Sequence, residues 1–112
     1  MSKQGTTNST TEMEAKARIE ARRKFAGSLI KLFDIHIPSK QLKITGVKND
    51  KKDIYEFFLH YGDQIVNVDG RVIINFRNNT VQTCVERVGR HHGRPVNYYR
   101  WHDYTMDTKK LP

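Results

Sequence analysis

Apart from Met1, the first ten positions are polar or glycine, and beyond them apolar residues recur in two rhythms. Ala15, Ile19, Ala26, Leu29, Ile30 and Phe33 return at helical spacing. Thr11-Glu12-Met13-Glu14 ahead of them has the form of a capping box, in which a hydroxyl and a carboxylate satisfy the first free N–H groups. A helix is therefore predicted from Thr11, with a bend at Gly27-Ser28 and an end at His36-Ile37-Pro38. Leu42 and Ile44 alternate with Lys43 and Thr45, which predicts a short strand over 41–47. Ile54, Phe57, Phe58 and Tyr61 then fall at i, i+3, i+4 and i+7, behind an N-cap at Asn49-Asp50 and ahead of Gly62. That spacing predicts a second, amphipathic helix.

The rest of the chain reads as strands. Asp69-Gly70 between the apolar runs 64–68 and 71–76 is a strong hairpin signal, because both central turn residues need positive φ. Asn78-Asn79 predicts another turn. Residues 81–89 and 94–104 predict a third and fourth strand joined by Arg90-His91-His92-Gly93, with Pro95 at an edge because it has no N–H to donate. The expected fold class is α+β: an N-terminal helix, a second helix and an antiparallel meander of about four strands ending in a basic-tipped hairpin. One domain is expected over 11–106, between a disordered tail at 1–10 and a frayed C-terminus at 107–112.

Charge changes the picture most. The 112 residues hold 20 Lys and Arg against 12 Asp and Glu, a net charge of +8, which calls for an anionic partner. Residues 54–69 carry Glu56, Asp63 and Asp69 with no Lys or Arg, whereas Arg87, Arg90, Arg94 and Arg100 follow one another with no acid between them. Between 70 and 104 every basic residue other than histidine is arginine, whose planar fork of donors suits phosphate oxygens and stacks on bases. Lysines elsewhere, such as Lys40, Lys43, Lys48, Lys51 and Lys52, suggest a diffuse field. A tip symmetric about 90–93 would set Tyr98 opposite Val85 and Tyr99 opposite Cys84. Cys84, Val88, Tyr99 and Trp101 would then face the core, leaving Tyr98, Arg100 and His102 to hold a base or phosphate. The candidate nucleic-acid contacts are Arg87, Arg90, His91, His92, Arg94, Tyr98, Arg100 and His102. Arg22, Arg23 and Lys24, with Lys16 and Arg18, form a second group on the first helix.

The segment from Val85 to Arg100, with Gly93-Arg94-Pro95 followed by Tyr98, Tyr99 and Arg100, resembles the wing hairpin of winged-helix DNA-binding regulators. That resemblance implies a DNA contact through the wing and a helix-turn-helix directly before it. The segment that precedes it here, Ile65 to Phe76, reads instead as strand.

Other chemistry is not called for. Cys84, His91, His92 and His102 do not have the spacing of a zinc site, so no metal is expected. No P-loop, dinucleotide-binding glycine pattern or nucleophile elbow occurs, so no cofactor is expected. His102-Asp103 with Arg100 could in principle cleave a phosphodiester, but no spacing demands catalysis and no catalytic residue is assigned. The lone Cys84, the lack of an apolar span and the lack of a signal-peptide block predict an intracellular protein, cytoplasmic or in the nucleoid or nucleus, with no membrane partner. The leading expectation is a small, non-catalytic nucleic-acid-binding protein, DNA or RNA undetermined. The alternatives are an interaction subunit or inhibitor, such as a viral or accessory factor, gripping an acidic protein, and a small nuclease. Edge strands leave a homodimer open.

Overall fold

The computed structural model describes the backbone of residues 2–90, 100–101 and 105–110 and the side chains of residues 12–89. A long helix, α1 (Ser2–Phe33), lies against one face of an antiparallel sheet. A short 3-10 turn (Ser39–Gln41) leads into β1 (Lys43–Lys51), β2 (Ile54–Gly62), β3 (Val66–Asn75) and β4 (Thr80–Arg90). Neighbours in sequence are neighbours in the sheet, and β5 (Arg100–Trp101) and β6 (Thr105–Lys110) both pair with β4. The fold is thus α+β with a β-meander. No helix-turn-helix precedes the β4–β5 connection: β3 and β4 stand where the winged-helix resemblance implies one.

The second predicted helix is instead strand β2. Ile54, Phe57, Phe58 and Tyr61 fit a helical period, but Tyr55, Phe57 and Leu59 fit a strand period equally well, and these three are the buried ones. The aromatic and β-branched content of the segment favours the strand. Asn49-Asp50 accordingly caps no helix. Both residues lie in the last part of β1, two positions and one position before its end at Lys51, and the Asn49 amide donates to the carbonyls of Lys51 (3.0 Å) and Ile54 (2.7 Å), closing the turn into β2.

Asp69-Gly70 makes no hairpin either; both residues lie inside β3. A glycine within a strand marks close approach of another group. Here that group is the fully buried Phe25 ring from α1, which occupies the space a Gly70 side chain would need, with the Cys84 carbonyl oxygen on the other side. The reversals sit elsewhere. Asp63 starts the β2–β3 turn, and Asn79, at φ 59°, makes the β3–β4 turn that Asn78-Asn79 predicts.

α1 begins at Ser2, ahead of the Thr11 capping box, and continues unbroken through Gly27-Ser28. Its buried stripe is Ala17, Ala21, Phe25, Ala26 and Leu29, which shares only Ala26 and Leu29 with the expected one: Ala15 is exposed, and Ile19 and Ile30 are 58% and 43% exposed on the outward side. Small Ala17 and Ala21 let the helix approach the sheet closely, so bulk alone misidentifies the inner face. Gly27 is exposed, and nothing lies within 4 Å of where its Cβ would be. Gly27→Ala should therefore raise stability by about 0.5–1 kcal/mol, read as an upward shift of the urea midpoint.

The inner face of the sheet presents Val68, Val72 and Ile74 of β3 and Val81, Val85 and Val88 of β4 to the helix. Strict alternation would put Val85 and Val88 on opposite faces. One extra residue resolves this: Gly70 pairs with Val85 and Asp69 with Arg87, so Glu86 is a bulge. The bulge flips the phase of β4. Arg87 turns outward and Val88 inward, while Cys84, expected to share a face with Val88, is buried against the opposite one.

Candidate nucleic-acid interface

The predicted contacts divide among three places. Arg87 stands exposed on the outer sheet face, delivered there by the bulge. Its register partner Asp69 pairs through Oδ1 with Nδ1 of His60 at 2.7 Å, and both side chains are about two-fifths exposed. Further along β4, Arg90 is the cross-strand partner of Arg100, and Gly89 that of Trp101. The expected pairing of Tyr98 with Val85 and Tyr99 with Cys84 is corrected: Thr105 and Met106 hold those positions. Arg90 and Arg100 are register partners, so residues 90–93 are not a symmetric four-residue tip. His91, His92, Arg94, Tyr98 and His102 lie outside the described residues, as do the side chains of Arg90 and Arg100.

The helical group is on the other layer. Arg22 is half-buried and its Nε donates to the Leu42 carbonyl oxygen (3.0 Å), tying α1 to the start of β1. Arg23 is exposed and Lys24 half-buried. Since Ala21 and Phe25 face the sheet, Arg23 points away from it. Arg23 and Arg87 therefore serve opposite sides of the molecule.

The outer sheet face that carries Arg87 is of mixed charge. Arg71 donates through Nη1 to Glu56 (2.8 Å) and sits 3.4 Å by Nε from Glu86. The bond to Glu56 holds its guanidinium more firmly protonated than usual, against the opposing effect of desolvation. With two carboxylates already upon it, Arg71 is a strut of the sheet and poorly suited to hold phosphate. Cys84, beside it in the next strand, is buried. Among the described residues no three His, Cys, Asp or Glu side chains come close enough to hold a metal ion, and no helix is long and apolar enough to cross a membrane.

A second cationic end was legible in the sequence only as a diffuse field. The β1–β2 and β3–β4 turns meet: Arg77 donates to the Lys52 carbonyl oxygen (3.1 Å) and the Phe76 N–H to that of Asp53 (2.8 Å). This gathers Lys51, Lys52 and Arg77, with Lys48 two rungs away. Lys109 and Lys110 take register positions beside the same turn, opposite Val81 and Thr80. The signal that could have found this end is the clustering of these residues at turns on the same side of a meander.

At the other end, Asp63 organises the β2–β3 turn. Its Oδ1 accepts from the N–H groups of Ile65 and Val66 (both 2.7 Å) and its Oδ2 from the Tyr61 hydroxyl (2.8 Å). The Val66 N–H above all, with the Tyr61 hydroxyl and the Ile65 N–H, holds its carboxyl below the usual aspartate range, while partial desolvation opposes them. A pKa lowered by folding contributes stability that is present above the unfolded value, about 3.9, and is lost as pH falls through the folded one. Asp63→Asn keeps the acceptor oxygen and removes the charge. The gap in melting temperature between the natural chain and this variant should therefore narrow on acidification below about pH 4.

No family model matches the chain, and neither a curated protein nor a solved structure matches it.

Proposed function

We propose that this is a non-catalytic nucleic-acid-binding protein that contacts phosphates through the arginine-rich β4–β5 hairpin. The observation that carries the reading is the pairing of Arg90 with Arg100 at the base of a segment that adds His91, His92 and Arg94. Like charges directly opposite one another cost stability, and an anion between them relieves that cost. Arg87 extends the same strand along the outer face, and the net charge of +8 supplies long-range attraction. Tyr98 and His102 would add stacking and a pH-sensitive contact.

A gel-shift panel tests this: duplex DNA, single-stranded DNA, duplex RNA and single-stranded RNA, each with and without a divalent metal ion. Intact shifted bands that weaken steeply between about 50 and 200 mM salt are expected. Shortened bands would instead favour the small nuclease. Binding insensitive to salt, or none at 50 mM, would sink the proposal.

A second reading rests on α1. Ile19 and Ile30 stand exposed on its outward side, with Lys16, Arg23 and Lys31 also exposed on the helix. An apolar ridge among cations suits an acidic protein partner, and an interaction subunit or inhibitor would use it. Absence of any shift across the panel favours this reading.

A further inference from the structure

The outer sheet face carries a shallow depression near the β1–β2 turn, lined by Lys48, Asp50, Lys51, Ile54, Glu56 and Ile73. Its volume is about 220 Å³. That falls below the ~300–1,000 Å³ typical of sites for whole small molecules, so it has room for one ring system. Its surface is mainly apolar. Ile54 of β2 and Ile73 of β3 are half-buried neighbours that form the flat part, and neither belongs to the core on the helix side. The polar groups stand at the rim. Glu56 is fixed there because Arg71 grips its Oε2 at 2.8 Å, which leaves Oε1 to accept a further hydrogen bond. Lys48 and Lys51 are exposed, and the cationic turn end formed by Lys52 and Arg77 adjoins them. The Lys48 ammonium lies 6.0 Å from the centre of the Phe58 ring, so a second half-exposed flat surface follows directly along β2.

A flat apolar patch of one-ring size, with carboxylate acceptors and lysines together on its rim, matches the parts of a single nucleotide unit. The ring packs on the isoleucines, base N–H groups donate to Glu56 or Asp50, and the flanking phosphates meet Lys48 and Lys51. A base stacked within a duplex cannot present its face in this way. We infer that this depression receives one unstacked base of a single-stranded nucleic acid. The inference rests on the nucleic-acid reading above and deepens it by naming the strandedness. It places this contact at the far end of the sheet from the arginine-rich hairpin. The ten steps of β4 from Thr80 to Arg90 span about 33 Å, so one strand running along the face could engage both.

The test uses the full chain, a fluorescein-labelled single-stranded 15-mer and a labelled 15-base-pair duplex, followed by fluorescence anisotropy. Ile73→Trp fills the depression without changing charge. It should weaken single-strand binding about tenfold, leave duplex binding unchanged and keep the salt slope. Lys48→Glu with Lys51→Glu, at exposed positions where folding is least at risk, should weaken single-strand binding and lower the salt slope by about 1.4. Thermal melting checks that each variant folds, and if Ile73→Trp does not, the lysine pair decides alone. Single-strand affinity unchanged in the folded variants, while changes at Arg90 and Arg94 abolish binding, overturns this inference and leaves the nucleic-acid reading standing. Failure of the natural chain to bind either probe overturns both.

Discussion

Gly70→Ala is expected to destabilise the protein by about 3 kcal/mol, at the upper end of what overpacking a core usually costs. A Cβ at this position meets the Phe25 ring on one side and the Cys84 carbonyl oxygen on the other. Phe25 is fully buried and the carbonyl belongs to the neighbouring strand, so neither can retreat without disturbing a layer. At about 4–8 °C per kcal/mol for a small domain, the melting temperature should fall by roughly 12–24 °C. Phe25→Ala alone should cost about 3–5 kcal/mol through the cavity it leaves. The double variant separates the two obstacles. With the ring gone, alanine at 70 should cost less than it does alone, giving a coupling of about 1–2 kcal/mol, while the Cys84 carbonyl keeps the residual cost above zero. Strict additivity in urea titrations would mean that the ring is not what excludes a side chain.

Arg90→Glu with Arg94→Glu is expected to reduce affinity for nucleic acid by roughly a hundredfold near 0.1 M salt. The change removes two phosphate contacts and puts two like charges before a polyanion. The slope of log affinity against log salt should shrink by about 1.4 for a single strand or 1.8 for duplex DNA. Stability should move the other way. Position 90 is opposite Arg100 in the ladder, so a carboxylate there turns a like-charged cross-strand pair into an attractive one worth about 0.2–1 kcal/mol. A melting temperature held or slightly raised, together with lost binding, is the signature of a contact surface. A large fall in melting temperature would show that the hairpin base is structural and would remove the main support for the proposed function.

The parts of the fold legible in the sequence are those where one local signal acts alone. The helical pattern ending before Pro38, the alternation at Leu42 and Ile44, and the turn at Asn78-Asn79 all stand in the structure. The failures occur where two signals share the same residues. Residues 54–61 satisfy periods of both 3.6 and 2, and only the partners β1 and β3 decide between them. Asp69-Gly70 has the composition of a turn, but the glycine answers to a ring contributed by a helix far away in the chain. Ile19 and Ile30 outweigh Ala17 and Ala21 in bulk, yet the alanines face the sheet because close packing there needs small residues. Of the candidate contacts, the position of Arg87 depended on the Glu86 bulge, which no spacing rule locates. The gathering of Lys51, Lys52 and Arg77 depended on two turns meeting across the sheet.

The Glu86 bulge also governs which edits the chain can absorb. Removing that one residue would let Val85, Arg87 and Val88 alternate inward, outward and inward, the faces they already occupy, and would leave the pairs Gly70 with Val85 and Asp69 with Arg87 in a regular ladder. A one-residue loss between Val81 and Val85, where the strand alternates regularly, would instead turn one flank of β4 onto the wrong face of the sheet. Lineages of this protein should accordingly vary freely at position 86 or lose it, and yet keep the number of residues between Val81 and Val85 fixed.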